Sequence, residues 1–273
     1  PGDDENKVET GVSVISKLIQ ADKVDMVVPP SGMSAIVLKS IEVANSLKVP
    51  TINTWGGAAS IPKKIADEKM RYIFTLSPTS DTLSATSVPG IMELYNPKTI
   101  SMIVSDTDAG RDDARVFVSN MKQKYPQVSI ASLDYTPTAL TDYSAVLSKI
   151  RAVSPDVVYA HKSGTALAAL VEQYHDSALN IPIVLTGPLD IIQGTGKGNL
   201  IVNNNQFMSA PYTKKTMAFV EAFQKKAGFE PNAFAAQQQD GMLVAFDAIS
   251  RAGSLNKEAI VDALMTTDMI GVR

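Results

Sequence analysis

Short apolar runs alternate with amphipathic stretches along most of the chain, and this alternation constrains the fold more than any other feature. Residues 7–21 place apolar side chains at helical spacing, and residues 24–28 then form a short apolar run that ends at Pro29. Such brief, nearly continuous runs are typical of parallel strands that helices cover on both faces. The pattern therefore predicts an α/β fold. The expected strands are 24–28, 50–53, 72–74, 99–104, 128–133, 156–160 and 181–185, and the expected helices are 7–21, 33–47, 79–95, 110–124, 142–152 and 164–178.

The last quarter of the chain has a different pattern. Three helical segments follow one another at about 213–227, 234–252 and 256–266, and no strand is predicted between them. A uniform succession of strands and helices would not end in this way. We therefore expect the tail to return and cover an earlier part of the fold.

Composition excludes several classes of function. The chain has 273 residues, a formal net charge of −3 and no Lys/Arg cluster longer than a pair, which argues against nucleic acid as a partner. No stretch approaches the ~18–20 apolar residues that a membrane span needs. Because the chain has no cysteine and only two histidines, disulfides, thiolate zinc sites, Cys nucleophiles and His-rich metal sites are also excluded.

In open parallel sheets, ligands bind outside the carboxyl ends of the strands, and this rule selects a few loops. The first loop ends in Ser31, Gly32, Met33 and Ser34, just where a helix is predicted to begin. Hydroxyl groups and free backbone N–H groups at a helix start suit a carboxylate or another anion. The alternative is that a serine here only caps the helix.

The second loop is Asn53–Thr54–Trp55–Gly56–Gly57, and it contains the only tryptophan. Paired glycines let the backbone come close to a ligand, and the aromatic ring supplies an apolar wall. The alternative is a flexible loop with a packed tryptophan, and the sequence does not decide between the two.

Three further loops follow later strands. The acidic loop 105–113 includes Asp108 and Ala109, but Phe117 stands where a calcium loop needs its closing Glu, so an Asp-rich helix start is the better interpretation. His161 and Lys162, followed by Ser163, could meet an anionic ligand, although lone residues of these types are usually structural or solvated. The loop 186–190 comes last in this set.

Enzyme motifs are weak. Ser60 and Lys63 have the Ser-x-x-Lys spacing of penicillin-recognising enzymes, and Lys162–Ser163–Gly164 imitates the third motif of that class. The middle motif is missing between them. The glycine-rich stretch 194–198 lacks the phosphate-loop spacing. We therefore predict no catalytic residue, no metal site and no cofactor, which favours a binding function.

The order of the segments resembles the periplasmic substrate-binding proteins of branched-chain (hydrophobic) amino-acid ABC transporters, the leucine-binding-protein-like group. Each similar piece is weak alone, but their order is fairly specific. The pieces are KLI (17–19), VDMVVPPSGMSAIVL (25–38), KVPTINTWGGAAS (48–60), TDYSAVLSKIRAVSPDVVYA (141–160) and QQQDGMLVAFDAISRAGSLNKEAIVDAL (237–264).

This resemblance implies the type I periplasmic binding fold, in which two Rossmann-like lobes with parallel sheets are joined by crossover strands and clamp the ligand in the cleft. The first lobe would comprise residues 1–76 and 213–273, and the second would comprise residues 77–212. Family members have further strands before the first segment and after the last one. The chain is therefore expected to be truncated at both ends.

The resemblance also transfers individual contacts. The carboxylate-binding serine of the family corresponds to Ser34, with Ser31 and Gly32 beside it, and the backbone and hydroxyl contacts of the second loop fall on 53–57. Trp55 replaces a small residue of the family, which would reshape the pocket.

In the second lobe, Ala109 replaces a tyrosine, so an aromatic lid is lost, and a further aromatic contact falls near Ser163. The acid that pairs with the ligand's ammonium falls on Leu189, with Asp190 one residue away. Because a buried ammonium without an anion costs several kcal/mol, either Asp190 substitutes for that acid or the ligand lacks an α-amino group.

By this resemblance we expect a periplasmic or extracytoplasmic receptor for a small carboxylate-bearing ligand, which is a hydrophobic amino acid or a related aromatic or organic acid. The expected partners are the small-molecule ligand and an ABC transporter permease. The alternative is a sensing or receptor module of the same fold, such as an amide or amino-acid sensor, which would pass its closure to a protein instead. The sequence does not separate these two functions.

Overall fold

A computed structural model of the protein describes residues 3–5, 7–29, 33–186, 200–202 and 213–272. The chain divides into two compact units. Unit one comprises Pro1–Pro78 with Phe207–Arg273, and unit two comprises Thr79–Gln206.

Two helices open the described chain, helices and strands then alternate from residue 34 to residue 186, and three helices follow the last described strand. The helices are α1 (Val8–Gln20), α2 (Ser34–Ser46), α3 (Ser60–Asp67), α4 (Ser80–Tyr95), α5 (Asp108–Lys124), α6 (Ser144–Val153), α7 (Gly164–Asp176), α8 (Lys214–Ala227), α9 (Ala233–Ala252) and α10 (Lys257–Met265). The strands are β1 (Thr51–Asn53), β2 (Ile73–Thr75), β3 (Thr99–Ser105), β4 (Ser129–Thr136), β5 (Val157–His161), β6 (Ile183–Thr186) and β7 (Leu200–Val202).

The sheet of unit one pairs β1 with β2 in parallel, with Thr51 opposite Ile73. The strand predicted at 24–28 is wrong in extent, because only Val27 pairs with β1, through a single bridge to Thr51. The Val27 N–H donates to the Pro50 carbonyl oxygen, and the Ile52 N–H donates to the Val27 carbonyl oxygen. The next donor of a parallel ladder would be residue 29, and Pro29 has no N–H, so the ladder stops.

The helical tail packs against this small sheet. Ile52 of β1 is fully buried in a cluster with Ala248 of α9 and with Ile260 and Leu264 of α10. Burial of apolar surface between the tail and β1 is therefore the main attraction that joins the two ends of unit one.

The sheet of unit two is five-stranded, with the order β4-β3-β5-β6-β7, and every pairing in it is parallel. The chain leaves β3 toward β4 on one side and then crosses to β5 on the other. In such sheets the neighbouring carboxyl ends at this reversal, here those of β3 and β5, are the usual place for ligands. Both strands are buried along their lengths by the helices that flank them.

Two elements escaped the sequence prediction. Helix α3 was not predicted, because it has only eight residues and carries Pro62 at its third position. Strand β7 has only three residues and pairs at the edge of the sheet. The other described helices and strands lie within a few residues of the predicted ranges.

Candidate functional site

The loop after β1 is shaped by the side chain of Asn53, which is fully buried. Its Nδ2 donates to the Gly56 carbonyl oxygen at 2.9 Å and to Thr75 Oγ1 at 3.0 Å. Its Oδ1 accepts from the backbone N–H groups of Gly56 at 2.9 Å and of Trp55 at 3.3 Å. These four bonds occupy the amide, so Asn53 holds the loop in place. The predicted ligand contact at this position would have to come from the backbone.

The paired glycines of this loop serve packing. A β-carbon on Gly56 would lie 2.8 Å from side-chain atoms of Ile61 and Val37, so the backbone here sits tightly against α2 and α3. A β-carbon on Gly57 would lie 3.1 Å from the Pro78 carbonyl oxygen. The close approach that the sequence assigned to a ligand is thus made, within unit one, to protein atoms.

Helix α2 begins beside this loop. Ser34 is 7% exposed, and its Oγ accepts the backbone N–H of Ala58 at 3.2 Å. Because a serine hydroxyl accepts and donates, this bond leaves its own proton available to a ligand. Met33 stands at the N-cap position, where it makes no side-chain hydrogen bond, and it is 39% exposed.

The backbone N–H groups in the first turn of α2 are therefore not capped by the Met33 side chain. In the described part of the chain, no acceptor is found for the backbone N–H groups of Ser34, Ala35 and Ile36. Uncapped N–H groups and the positive end of the helix dipole attract an anion. The predicted capping role of a serine here is not seen for Ser34, and Ser31 and Gly32 lie outside the described residues.

Helix α9 meets the same loop from the tail of the chain. The Thr54 hydroxyl lies 3.0 Å from the Pro29 carbonyl oxygen and 2.8 Å from Gln238 Oε1. Gln238 Nε2 donates to the Val28 carbonyl oxygen at 3.0 Å. Thr54 is 1% exposed, and its side chain joins the two loops of this edge to α9; its contact with a ligand stays a prediction.

An aromatic pair lies next to this contact. The rings of Trp55 and Phe234 have centroids 3.7 Å apart at an angle of 50°. Trp55 is half-buried and Phe234 is 37% exposed, which leaves apolar ring surface open at this edge. Sequence reasoning found Trp55 but missed Phe234, which comes from α9 more than 170 residues later. The only signal was that 237–264 belongs to the pieces that resemble the family.

Lys162 of unit two is turned inward. It is 1% exposed, and its Nζ donates to Thr136 Oγ1 at 2.8 Å and to the carbonyl oxygens of Pro137 at 3.1 Å and Thr136 at 3.4 Å. Burial lowers the pKa of Lys162 to about 8. Three oxygens therefore use the three donors of the ammonium, so Lys162 holds the end of β4 and the anion contact stays a prediction.

His161 ends β5 beside a buried polar group. Its carbonyl oxygen accepts from Ser105 Oγ at 3.3 Å, and its Nδ1 is buried without a hydrogen-bond partner among the described residues. The nearby Asp113 carboxylate is fully buried and accepts from the Tyr159 hydroxyl at 2.8 Å. Burial raises the pKa of Asp113, and the charge of His161 opposes this rise.

The acidic loop after β3 acts as a helix start. Thr107 Oγ1 accepts the Gly110 N–H at 3.1 Å and so caps α5, which begins at Asp108, and Asp106 pairs with Arg111. A β-carbon on Gly110 would overlap the Ser105 carbonyl oxygen, so α5 can approach β3 only with glycine there. Ala109 lies in this first turn. No group of three or more His, Cys, Asp or Glu side chains able to hold a metal ion occurs among the described residues.

The remaining predicted contacts are Ser163, Leu189 and Asp190. Ser163 is the N-cap residue of α7 and makes no side-chain capping bond. Leu189 and Asp190 lie outside the described residues. Within the described chain, no helix has the length and apolar character needed to cross a membrane.

The Ser-x-x-Lys motif has no catalytic geometry to support it. Ser60 is the first residue of α3, and the Lys63 ammonium pairs with Asp67 on the same helix. The side chain of Lys63 is 73% exposed, so it lies at the surface and not in a closed catalytic pocket.

The whole chain, residues 1–273, matches the model of a family described as periplasmic binding protein. Among solved structures, a solute-binding protein of an ABC transporter from R. palustris in complex with benzoate is similar at 18% identity and a TM-score of 0.85. The match covers 99% of this chain and 74% of that one.

Two further structures are similar. The substrate-binding protein LivJ of the branched-chain amino acid transporter from Streptococcus pneumoniae, in complex with isoleucine, has 21% identity and a TM-score of 0.86, with 99% of this chain and 76% of that chain covered. A solute-binding protein of an ABC transporter from Rhodopseudomonas palustris BisB5, in complex with 3,4-dihydroxybenzoic acid, has 20% identity and a TM-score of 0.76, with 96% and 72% covered. The predicted α/β fold class, the type I periplasmic binding fold, is confirmed.

Proposed function

Because the chain belongs to the periplasmic binding protein family, we propose that it is an extracytoplasmic solute-binding protein that captures a small carboxylate-bearing ligand for an ABC permease. The ligand is a branched-chain or other hydrophobic amino acid, or a related aromatic or organic acid. The single observation that carries this proposal is the uncapped start of α2, where Ser34 keeps its hydroxyl proton.

A carboxylate fits this place by charge and by geometry. The N–H groups of Ser34, Ala35 and Ile36 have no acceptor among the described residues and lie at the positive end of the helix, and the Ser34 hydroxyl adds a donor from the same turn. Hydrogen bonds to an ionised oxygen are about twice as strong as neutral ones. An anion would therefore gain more here than a neutral group.

The apolar part of the ligand would lie against the aromatic pair. Trp55 is the second residue after β1, and the Ala58 N–H of the same loop donates to Ser34, so the ring and the helix start belong to one continuous edge of unit one. Exposed ring surface of Trp55 and Phe234 favours an aliphatic or aromatic body over a polar one.

The choice between an amino acid and a simple acid rests on the predicted ammonium contact. Leu189 stands where the resemblance implies an acid, and Asp190 follows it. If Asp190 takes the ammonium, leucine and isoleucine bind. If it does not, acids such as benzoate bind, because they have no α-amino group to desolvate.

The proposal is tested by comparing the ligand affinities of the wild type and of the variant Ser34→Ala. Thermal shift and calorimetry of the wild-type chain with leucine, isoleucine and benzoate should show binding of at least one of them, and benzyl alcohol should not bind because it has no carboxylate. A ligand at ~100 times its dissociation constant adds about 2.7 kcal/mol of stability. Ser34→Ala should weaken binding about tenfold or more, since a charge-assisted hydrogen bond is lost.

The matched control is Ser46→Ala. Ser46 ends the same helix, is exposed, and donates only to the Val43 carbonyl oxygen. Its removal should leave the dissociation constant unchanged. Equal affinity of the wild type and Ser34→Ala for every carboxylate that binds would place the carboxylate elsewhere and refute this site.

A further inference from the structure

Gln237 on α9 is a buried amide that nothing described satisfies. The residue is 2% exposed, and neither its Nε2 nor its Oε1 has a hydrogen-bond partner in the described part of the chain. Burying a polar amide without a partner is unfavourable, and native structures contain few such groups. An unpaired amide at this depth therefore calls for a partner that the chain itself does not supply.

The helical spacing of α9 puts Gln237 on the face that meets the loop after β1. Phe234, three residues earlier, stacks on Trp55, and a β-carbon on Gly241, four residues later, would overlap Thr54. Residues three and four apart lie on the same face of a helix. Position 237 is thus between two contacts with residues 54–55, beside the aromatic pair.

The side chain of the next residue, Gln238, differs from that of Gln237 in its hydrogen bonds. Gln238 is bonded at both ends of its amide, because its Oε1 accepts from Thr54 and its Nε2 donates to the Val28 carbonyl oxygen. Two adjacent glutamines therefore differ: Gln238 fastens α9 to residues 28 and 54, and Gln237 has a donor and an acceptor without a described partner. A hydroxyl group both donates and accepts, so it can pair with either end of a carboxamide, whereas a carboxylate pairs only with the NH₂ group and an ammonium only with the oxygen.

We propose that Gln237 contacts the ligand and selects for a hydroxyl group on its apolar body. The ligand class is then a hydroxylated aromatic acid, whose carboxylate lies at the start of α2 and whose ring lies against Trp55 and Phe234. This inference rests on the proposed function of the same site. It adds a specificity-determining residue to that site, together with the group that this residue recognises.

The test compares benzoate with 3,4-dihydroxybenzoate by calorimetry, in the wild type, in Gln237→Met and in the control Gln224→Met. Methionine has a similar volume and no hydrogen-bonding amide, and Gln224 is exposed on α8. The wild type and Gln224→Met should bind the dihydroxy acid about tenfold more tightly than benzoate. Gln237→Met should bring this ratio to about one and leave the affinity for benzoate unchanged.

The melting temperature of the ligand-free proteins gives a second readout. Gln237→Met should melt at the same temperature as the wild type or higher, because an unpaired buried amide has been removed. A lower melting temperature with an unchanged ratio would show that the amide has a structural role and overturn the inference. Binding of leucine or isoleucine without either benzoate would overturn the inference alone, whereas binding of no carboxylate would remove the proposed function as well.

Discussion

The two units present the same architectural edge, the carboxyl ends of parallel strands, and differ in how the predicted contact residues at that edge are bonded. In unit one, Met33 gives α2 no side-chain cap, Ser34 Oγ accepts one N–H group, and Gln237 has no partner among the described residues. In unit two, Thr107 caps α5 and the Lys162 ammonium donates to Thr136 and Pro137, whereas α7 has no side-chain cap and His161 Nδ1 has no described partner. The comparison teaches that the fold itself can occupy a polar side chain at a strand end, so each such residue has to be judged by its bonds.

The largest effect should come from filling the tightest contact of unit two. Gly110→Ala forces a β-carbon into the Ser105 carbonyl oxygen and should lower the free energy of unfolding by about 3 kcal/mol. Denaturant unfolding measures this loss in the free energy of unfolding. The control is Gly90→Ala in α4, where nothing lies within 4 Å of the new carbon and alanine should stabilise by up to about 1 kcal/mol. Equal stability of both variants would show that the edge of unit two is looser than its contacts imply.

The pH dependence of the free energy of unfolding should reveal that the Lys162 side chain is buried. Its folded pKa of about 8 lies below the unfolded value, so between pH 8 and about 10.5 the unfolded chain binds more protons and stability rises with pH. Relative to Lys162→Met, which cannot titrate, the wild type should gain about 1–3 kcal/mol across this window. Urea unfolding of both proteins at pH 7 and 10.5 measures the gain, and a constant difference would mean that the ammonium is solvated.

The smallest effect should come from giving α2 of unit one a side-chain cap, like the one that Thr107 gives α5 in unit two. Met33→Ser supplies the cap that α2 lacks and should raise the free energy of unfolding by about 0.5–1 kcal/mol. The new hydroxyl would then compete for the same N–H groups, so binding of the carboxylate should weaken severalfold. Met217→Ser on α8 is the control, because Met217 is 47% exposed and is not an N-cap residue; Thr213 already caps α8. Tighter carboxylate binding by Met33→Ser would contradict the role of the free donors.

Regular elements were predictable where the local pattern was strong. Strands β3 and β5 were placed to within a residue or two because apolar runs buried on both faces are nearly continuous. The segment 24–28 has the same appearance, but Pro29 stops its ladder after one bridge. Helix α3 has only eight residues and includes Pro62, so its pattern was too short to be recognised.

The candidate site was predictable only in part. Ser34 and Trp55 were found because each follows a strand or opens a helix, and the resemblance to a family pointed to the same loops. Phe234 was not found, because it reaches Trp55 from a helix far along the chain. The unpaired amide of Gln237 was not found, because only the folded packing shows which amides are bonded. Lys162 looked like an anion ligand because its three oxygen acceptors on residues 136 and 137 are invisible in the sequence.

The sequence by itself determined the alternation of strands and helices, the absence of cysteine chemistry and the family, since all three depend on residue type and local spacing. Only the tertiary structure decided which polar groups form hydrogen bonds within the protein and which remain without a partner. The donors of Asn53 and Lys162 are bonded to neighbouring loops, whereas among the described residues the Ser34 hydroxyl donates to no acceptor and the Gln237 amide has no partner. A hydrogen bond depends on distances of about 3 Å between groups far apart in the chain, and only the folded packing sets those distances.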